Sequence, residues 1–284
     1  MNNGYKHTDK LLLRRDRMNN RLNNLEEESI YIIRETYAKF KKPGMLWSIG
    51  KDSTVLLWLA RKAFMGNCPM PLVHVDTTYK IPEMLEHRDR LLKEWGLKLL
   101  IGKNDDALLA GVGPEQGRLE CCGALKTEAF RQTVEKHGFD AVLLGIRRDE
   151  EKSRSKERIF SVRNPNFEWK YKEQPPEIWN QYNTDFPPGS HVRVHPLLAW
   201  TEIDIWEYIE QEKIPVVTLY FSRHGKRYRS LGCWPCTQPI QSDAINIREI
   251  IVELRSIGKS ERSGRAQDQV DAFAMQKLRV KGYM

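Results

Sequence analysis

Residues 46–53 read LWSIGKDS, and residues 54–64 continue as TVLLWLARKAF. The first stretch is typical of an apolar strand that ends in a Gly-Lys-Asp-Ser turn, and the second is typical of an apolar helix. Such a turn leaves the first backbone N–H groups of the helix without carbonyl partners, at the positive end of the helix dipole. The stretch therefore predicts an anion site, with a nucleotide phosphate as the expected ligand.

The individual residues of this turn suit a phosphate. Lys51 supplies a full positive charge, Gly50 lets the backbone approach closely, and the hydroxyls of Ser48 and Ser53 can donate to phosphate oxygens. The turn lacks the first glycine of G-x-x-x-x-G-K-[ST], so it is not a P-loop of the Walker type. Taken alone, it is also compatible with an ordinary strand-to-helix turn that carries an exposed lysine.

The apolar runs of the chain predict the fold class. Four of them are separated by helical or turn-rich stretches, namely GMLWSI (44–49), PLVHVDT (71–77), DAVLLGI (140–146) and HVRVHPL (191–197). This alternation predicts an α/β fold with a doubly wound, mostly parallel sheet flanked by helices. The C-terminal region is expected to be helical and rich in loops.

Composition shifts predict the organisation along the chain. The Pro-, Asn- and aromatic-rich stretch 163–190 follows neither the helical nor the strand period and is expected to be a long ordered loop. A helix is expected after Thr201, which is a plausible N-cap. An amphipathic helix is expected to begin near Leu25. The resulting units are an N-terminal arm (1–24), a nucleotide-binding α/β domain (25–215) and a C-terminal basic, cysteine-containing segment with helices (216–284).

Composition also limits the function classes. The 284 residues carry a formal net charge of +8, which favours anionic partners but does not distinguish nucleotides or sulfate from nucleic acid. No apolar run is long enough to span a membrane and the N-terminus is polar, so a cytoplasmic location without membrane contact is expected. Five cysteines are few and odd in number for a disulfide scaffold, which favours metal or redox roles.

A family resemblance follows from the turn and its neighbours. The SIGKDS stretch (48–53) resembles the S-G-G-K-D-S signature of the PP-loop ATP pyrophosphatases, with Ile49 in place of the first glycine. The same variant is found in the adenylylating small subunits of bacterial two-subunit ATP sulfurylases, within the phosphoadenylyl-sulfate reductase family. Similar text recurs from about residue 25 to Tyr283, as LARKAF (59–64), PLVHVDT (71–77), EMLEHRDR (83–90), RRDEEKSRSKERIFS (147–161), WTEIDIW (200–206), LGCWP (231–235) and SERSGR (260–265).

The resemblance implies an activity and a set of site residues. In that family the loop holds the β- and γ-phosphates of ATP, the nucleotide is cleaved between its α- and β-phosphates, and an oxyanion accepts AMP. The implied phosphate clamp is Ser48, Gly50, Lys51, Asp52 and Ser53. His74, Asp76 and Thr77 lie at the end of the second strand, where a doubly wound fold places a nucleotide. The family often has glycine where this chain has Thr78.

A second charge run follows the strand DAVLLGI. Arg147 and Arg148 can offer planar guanidinium groups to phosphate or sulfate oxygens, and Arg154 is a further candidate. Asp149 and Glu150 could help to hold Mg²⁺, although ion-pair or solvent-exposed roles fit them equally well. The alternative for the whole run is a solvated helix with alternating charges.

The cysteines form a separate pattern. A Cys-Cys pair followed by CxxC resembles the [4Fe–4S] pattern of adenylyl-sulfate reductases, and it comprises Cys121, Cys122, Cys233 and Cys236. Zinc, or no cofactor, are the alternatives. The reductases also use a cysteine near the C-terminus as nucleophile, which the ending VKGYM lacks, so reduction of adenylyl sulfate by that route is not expected.

The leading hypothesis is an ATP-dependent sulfate adenylyltransferase that releases pyrophosphate and works with a separate GTPase large subunit. The alternative is an iron–sulfur PP-loop ATP pyrophosphatase of DNA phosphorothioation, which would act with a cysteine desulfurase and DNA-processing proteins. A nucleotide-bound scaffold without catalysis is a third hypothesis. The basic segment 223–229 could contact nucleic acid, dock a partner, close over ATP or cover a cluster. Trp200 and Trp206 are expected in the core.

Overall fold

The computed structural model describes residues 5–179, 181–182, 184–256, 261 and 274–283, with backbone alone for 5–19 and 274–275. A six-stranded sheet in the order β3-β2-β1-β4-β6-β5 forms its centre. All neighbouring strands are parallel except β5 and β6, which are antiparallel. The six strands are β1 (Pro43–Leu46), β2 (Leu72–Val75), β3 (Leu99–Gly102), β4 (Ala141–Leu143), β5 (Phe160–Arg163) and β6 (His191–Val194). The predicted α/β fold class is confirmed.

Helices flank this sheet. They are α1 (Tyr5–Lys39), α2 (Lys51–Ala63), α3 (Pro82–Trp95), α4 (Asp105–Leu109), α5 (Arg118–Cys122), α6 (Ala129–His137), α7 (Glu202–Glu212), α8 (Ile247–Ser256) and α9 (Ala274–Val280). Helix α2 packs against α1 and α7, α7 also packs against α8, and α6 lies against β3. A small hairpin of β7 (Lys226–Arg227) and β8 (Ile240–Gln241) follows α7. No helix of the described residues is both long and apolar enough to cross a membrane.

The interior strands are those that the apolar runs predicted. All residues of β1, β2, β4 and β6 are buried, and β1 and β4 are apolar throughout, whereas β2 buries His74 and β6 buries His191 and Arg193. The edge strands β3 and β5 were not predicted. Strand β3 is largely only half buried, with Ile101 exposed, and β5 ends in a buried arginine, Arg163. Neither has the pattern of a buried parallel strand.

The N-terminal helix is longer than expected. A helix was predicted from about Leu25, whereas α1 begins at Tyr5, so the predicted arm boundary at residue 24 lies inside a continuous helix. Leu22, Leu25 and Ile32 are buried at helical spacing, which shows that the core-facing side continues before residue 25. The apolar positions before residue 25 are separated by many Asn and Arg residues, so the helical period was not recognised there from the sequence. The proposed division into three units remains a prediction.

The long segment between β5 and β6 has no helix or strand among its described residues, in agreement with the predicted ordered loop. Phe167 and Trp169 bury their rings in the protein. The Glu177 carboxylate accepts the backbone N–H groups of Ile159 and Phe160, both at 2.7 Å. These contacts fix the loop against the edge of the sheet.

Helix α7 begins as predicted. The hydroxyl of Thr201 accepts the Asp204 N–H at 3.2 Å, and the Asp204 carboxylate accepts the Thr201 N–H at 2.8 Å, so the two residues form a capping box. Trp200 and Trp206 are 1% and 0% exposed, which confirms their assignment to the core. In the last forty residues, α8 and α9 confirm the expected helical character of the described part. The SERSGR stretch falls outside the described residues apart from Glu261.

Candidate active site

A cavity of about 170 Å³ opens at the carboxyl ends of the central strands. Leu46 at the end of β1, Val75 at the end of β2 and Leu144 just after β4 form its apolar wall, while the GKDS turn and Arg154 add polar groups. Strand order reverses between β1 and β4, and ligands of doubly wound sheets bind outside such a reversal. The predicted phosphate turn therefore lies where the fold favours a nucleotide.

Hydrogen bonds within the turn and to Tyr220 hold it in place. Gly50 is the N-cap of α2, and the Ser53 hydroxyl donates to the Gly50 carbonyl at 3.1 Å. The hydroxyls of Ser48 and Ser53 are 3.1 Å apart. One of the helix donors expected to be free is already paired, because the Lys51 N–H donates to the buried Tyr220 hydroxyl at 2.8 Å. Tyr220 thus holds the start of α2 in place.

Ile49, which stands where the family signature has its first glycine, has a strained backbone but a buried side chain. Its φ is +70°, a left-handed backbone that glycine adopts freely and a β-branched residue adopts only under strain. The Ile49 side chain is 1% exposed and belongs to the main hydrophobic core. The turn therefore has a backbone conformation that glycine readily adopts, and the Ile49 side chain anchors it to the interior.

Lys51 and Arg147 come together in a buried network of charges. Lys51 Nζ lies 2.5 Å from Glu261 Oε1 and 3.1 Å from Asp52 Oδ2. Arg147 Nη2 lies 2.6 Å from Glu261 Oε2, and the same guanidinium pairs with Asp52 and Asp149. Burial would lower the pKa of Arg147, but the facing carboxylates, with Glu261 first, raise it. The two side chains predicted to hold phosphate therefore share the carboxylates of Glu261 and Asp52 as partners.

The rest of the charge run divides between pocket and surface. Arg154 lines the cavity and pairs with Glu150. Asp149 accepts both Arg147 Nε and the first N–H of α7. The contacts of Asp149 and Glu150 therefore match the ion-pair alternative. Arg148 is exposed and is not among the described residues that line the cavity.

A glycine fixes the spacing between the phosphate turn and the arginine run. A Cβ added to Gly145 would lie 2.9 Å from both the N and the Cα of Ser53 and 3.0 Å from the Asp52 carbonyl carbon. Those are backbone atoms of the first turn of α2, which cannot rotate away as a side chain can. Gly145 therefore allows the segment after β4 to lie directly against the turn.

The residues at the end of β2 have different surroundings. His74 is 0% exposed, its Nδ1 is 3.0 Å from the Trp47 carbonyl oxygen, and burial lowers its pKa to about 4. The Asp76 carboxylate accepts the Thr78 N–H at 2.8 Å, and Thr78 has a φ of +64°, which accounts for the glycine common at this place in the family. Thr77 is buried with its hydroxyl 3.2 Å from Cys233 Sγ. The predicted residues His74, Asp76 and Thr77 are not among the described residues that line the cavity.

The four predicted cysteine ligands lie near one another. Burial raises the pKa of Cys121 to about 11, and the other three thiols add to that rise. For Cys233 burial would raise the pKa, but Lys126 and Lys80 outweigh it and lower the value. Within the described ranges, no three His, Cys, Asp or Glu side chains form a group arranged to hold a metal. The iron–sulfur cluster stays a prediction.

Sequence reasoning missed several residues of this site. Glu261 was quoted only as part of SERSGR, and Tyr220, Lys80 and Lys126 were not singled out, although all four line the cavity. In the basic segment, Arg227 pairs with Glu253 and Arg229 pairs with Glu202, so these two cations make contacts inside the protein. The only available sequence signal for Glu261 was the family stretch around it.

Known proteins resemble this chain in sequence and in fold. The phosphoadenosine phosphosulfate reductase domain model matches residues 42–239. A protein of Pseudoalteromonas translucida named sulfate adenylyltransferase subunit 2 is 44% identical, over 92% of this chain and 98% of its own length. A protein of Rhodopseudomonas palustris with the same name is 45% identical, over 95% of this chain and 92% of its own length.

Solved structures at low identity share the fold alone. FMN adenylyltransferase of Candida glabrata, in complex with FAD and inorganic pyrophosphate, has a TM-score of 0.56 at 17% identity over 94% of this chain and 85% of that one. Phosphoadenylyl-sulfate reductase of Candida auris has a TM-score of 0.52 at 17% identity over 76% of this chain and 96% of that one. With the domain match and the relatives at 44–45% identity, this chain belongs to the phosphoadenosine phosphosulfate reductase domain family, together with the proteins named sulfate adenylyltransferase subunit 2.

Proposed function

We propose that this chain is the adenylylating subunit of a two-subunit sulfate adenylyltransferase. The observation that carries the proposal is the juxtaposition of Lys51 and Arg147 beside the cavity at the strand reversal, in a chain 44–45% identical to relatives of that name. The reaction joins ATP and sulfate to give adenylyl sulfate and pyrophosphate. The chain is an enzyme of the nucleotidyltransferase type.

The proposed chemistry is a displacement at the α-phosphorus of ATP. A sulfate oxygen forms a bond to the α-phosphorus, the bond from that phosphorus to the α–β bridging oxygen breaks, and pyrophosphate leaves with the electron pair. Lys51, Arg147 and the turn hydroxyls would hold the departing phosphates and offset their growing charge. The apolar strand ends Leu46, Val75 and Leu144 would receive the nucleoside. No protein nucleophile is required.

The sulfate dianion needs positive charge of its own. Lys80 and Lys126 line the same cavity next to Cys233. Although burial opposes its charge, Lys126 has a raised pKa because Tyr283 and the neighbouring thiols favour the ammonium. We assign Lys80 and Lys126 to the sulfate acceptor. Arg154 lines the same cavity, and we assign it to either the sulfate or the phosphates of ATP. Arg148, being exposed, has no assigned contact and keeps only its predicted role.

Mg²⁺ is part of the proposal. This ion prefers oxygen ligands, keeps several waters and is usually held by one or two carboxylates together with substrate phosphates. We assign this role to the Asp52 carboxylate in the turn, which would exchange its contact with Lys51 or Arg147 for the ion. Bound there, Mg²⁺ would offset charge on the departing pyrophosphate.

The iron–sulfur assignment also belongs to the proposal. Thiolates are the ligands that such clusters use, and the cations beside Cys233 favour its thiolate. Cys121, Cys122, Cys233 and Cys236 would hold a [4Fe–4S] group, which would lie outside the phosphate turn. Iron and acid-labile sulfide analysis of protein purified without oxygen tests this, with about four irons per chain expected. Protein that retains four titratable thiols and no iron would disprove it.

The partner is proposed to be a separate GTPase large subunit in the cytoplasm. The relatives are named as second subunits, which supports a two-subunit complex. An affinity pull-down under anaerobic conditions from the native host, followed by mass spectrometry, tests the partner. Recovery of a GTPase-type subunit supports sulfate activation, whereas recovery of a cysteine desulfurase with DNA-processing proteins would favour the DNA phosphorothioation alternative, which the names of these relatives do not support.

The decisive assay is pyrophosphate release from ATP by the purified complex. Release should depend on sulfate and should be abolished in Lys51→Ala, because the turn then lacks its main cation for the departing phosphates. Loss of release would exclude the scaffold hypothesis as well. Release that depends on DNA and ignores sulfate would refute the proposed acceptor.

A further inference from the structure

Glu261 is an enclosed carboxylate in the middle of the phosphate site. Its side chain is 2% exposed, with one oxygen 2.5 Å from Lys51 Nζ and the other 2.6 Å from Arg147 Nη2. Burial would raise the pKa of Glu261, but these two cations hold it well below its usual range. Glu261 is therefore ionised at neutral pH, and each of its oxygens takes a cation that the proposed function assigns to phosphate.

The cations of this cluster are already paired with carboxylates. Two cations, Lys51 and Arg147, contact three carboxylates, those of Asp52, Asp149 and Glu261. The Glu261 carboxylate is the most enclosed of the three, whereas Asp149 is partly exposed, and opposite charges at these distances interact strongly where water is excluded. A polyphosphate could reach both cations only against repulsion from a carboxylate that already occupies them.

We propose that Glu261 is an internal competitor of the ATP polyphosphate. Its carboxylate pairs with Lys51 and Arg147 in the free protein and releases both when the β- and γ-phosphates bind. A carboxylate presents two oxygens to a guanidinium and an ammonium much as the edge of a phosphate does, so the exchange conserves the geometry of both cations. The inference rests on the proposed function and names Glu261 as a residue that sets nucleotide affinity.

The competitor also explains how two cations can be buried before any ligand arrives. Lys51 is 1% exposed and Arg147 is 0% exposed, and an unpaired buried charge is strongly unfavourable. Glu261 compensates both charges and keeps the side chains in the positions that phosphate oxygens require. Its presence therefore favours a preformed site and, at the same time, weakens binding of the ligand that replaces it.

Inorganic pyrophosphate is the direct probe, because it contains the part of ATP that competes with Glu261. Binding is measured by calorimetry for the wild-type chain, for Glu261→Gln and for the matched control Glu253→Gln, which alters an arginine pair that is not among the described residues lining the cavity. Glu261→Gln should bind pyrophosphate about tenfold more tightly, since a neutral amide competes less well for the two cations. Glu253→Gln should bind it as the wild-type chain does, and AMP, which lacks both distal phosphates, should bind equally to all three.

Carboxyl labelling of the wild-type chain tests the exchange without a variant. A carbodiimide and an amine should modify Glu261 slowly in the free protein and faster with saturating pyrophosphate, because the released carboxylate loses its two partners. Weaker or unchanged pyrophosphate binding in Glu261→Gln, or labelling that pyrophosphate does not increase, would overturn the competitor and leave the proposed function intact. Absence of pyrophosphate and ATP binding in the wild-type complex would overturn the proposed function and this inference together.

Discussion

Replacing Gly145 with alanine tests whether the phosphate turn and the arginine segment share one rigid spacing. The added Cβ would meet backbone atoms of Ser53 at 2.9 Å, whereas ordinary contact begins at 3.4 Å, so the two segments must separate by about 0.5 Å. Since a 1 Å misplacement at a reacting centre can cost about 100-fold in rate, half that shift predicts a roughly tenfold lower kcat/KM. Overpacking should also reduce the free energy of unfolding by about 1–3 kcal/mol.

The assay is sulfate-dependent pyrophosphate release, with urea unfolding of the same preparations. Gly123→Ala is the matched control, because a Cβ there meets no atom within 4 Å; it should leave kcat/KM unchanged and raise the free energy of unfolding by about 0.4–1 kcal/mol, as alanine does at a helical position. Gly145→Ala with the kcat/KM and the unfolding free energy of the wild-type protein would refute the claim that the turn has no room for one methyl group. Loss of stability alone would show that the spacing supports folding but does not position the phosphates.

Three further outcomes are expected. Tyr220→Phe removes the acceptor of the buried Lys51 N–H and should lower the free energy of unfolding by about 1–3 kcal/mol in urea titrations, whereas Tyr37→Phe at an exposed ring should not. Burial would raise the pKa of Glu157, but Arg163, His195 and Arg279 lower it from 4.5 to about 2. Ionised Glu157 therefore stabilises the folded protein fully above pH 4.5, and this contribution is lost as the pH falls toward 2. The stability gap between wild type and Glu157→Gln, measured from pH 7 to pH 3, should therefore narrow only below about pH 4.5, and a constant gap would contradict the ion-pair reasoning. Thr201→Ala should destabilise the protein by about 1 kcal/mol through loss of the α7 N-cap, and an unchanged urea midpoint would contradict that role.

The interior of the sheet and the strand-to-helix turn at Gly50 could be predicted because their signals are local. A strand buried on both faces is mostly apolar, as β1 and β4 are, and the Gly-Lys-Asp-Ser stretch at the start of a helix indicates an anion site within a few residues. The edge strands lack that requirement. In β5, Arg163 is buried only because Glu157 and Ser161 accept its donors, and such compensation is not visible in a hydropathy pattern.

The remaining residues of the site could not be predicted because their partners are remote in sequence. Glu261 follows Lys51 by 210 positions, and Tyr220 follows it by 169. No periodicity or spacing rule relates residues so far apart, since only the three-dimensional path of the chain brings them together. The same limit applies to Arg148, where sequence adjacency to Arg147 suggested a shared role but the structure leaves one side chain buried and the other exposed.

The left-handed backbone at Ile49 affects how this kind of loop is recognised and altered. What the turn requires is the sign of one dihedral angle, and glycine is only the residue that adopts it most easily. A signature written in residue letters therefore excludes chains that reach the same conformation by packing. In this chain a core side chain anchors the turn, so the conformation of the turn depends on the packing around Ile49. Substitutions in that interior layer should therefore change the turn without replacing any residue that we assign to the nucleotide.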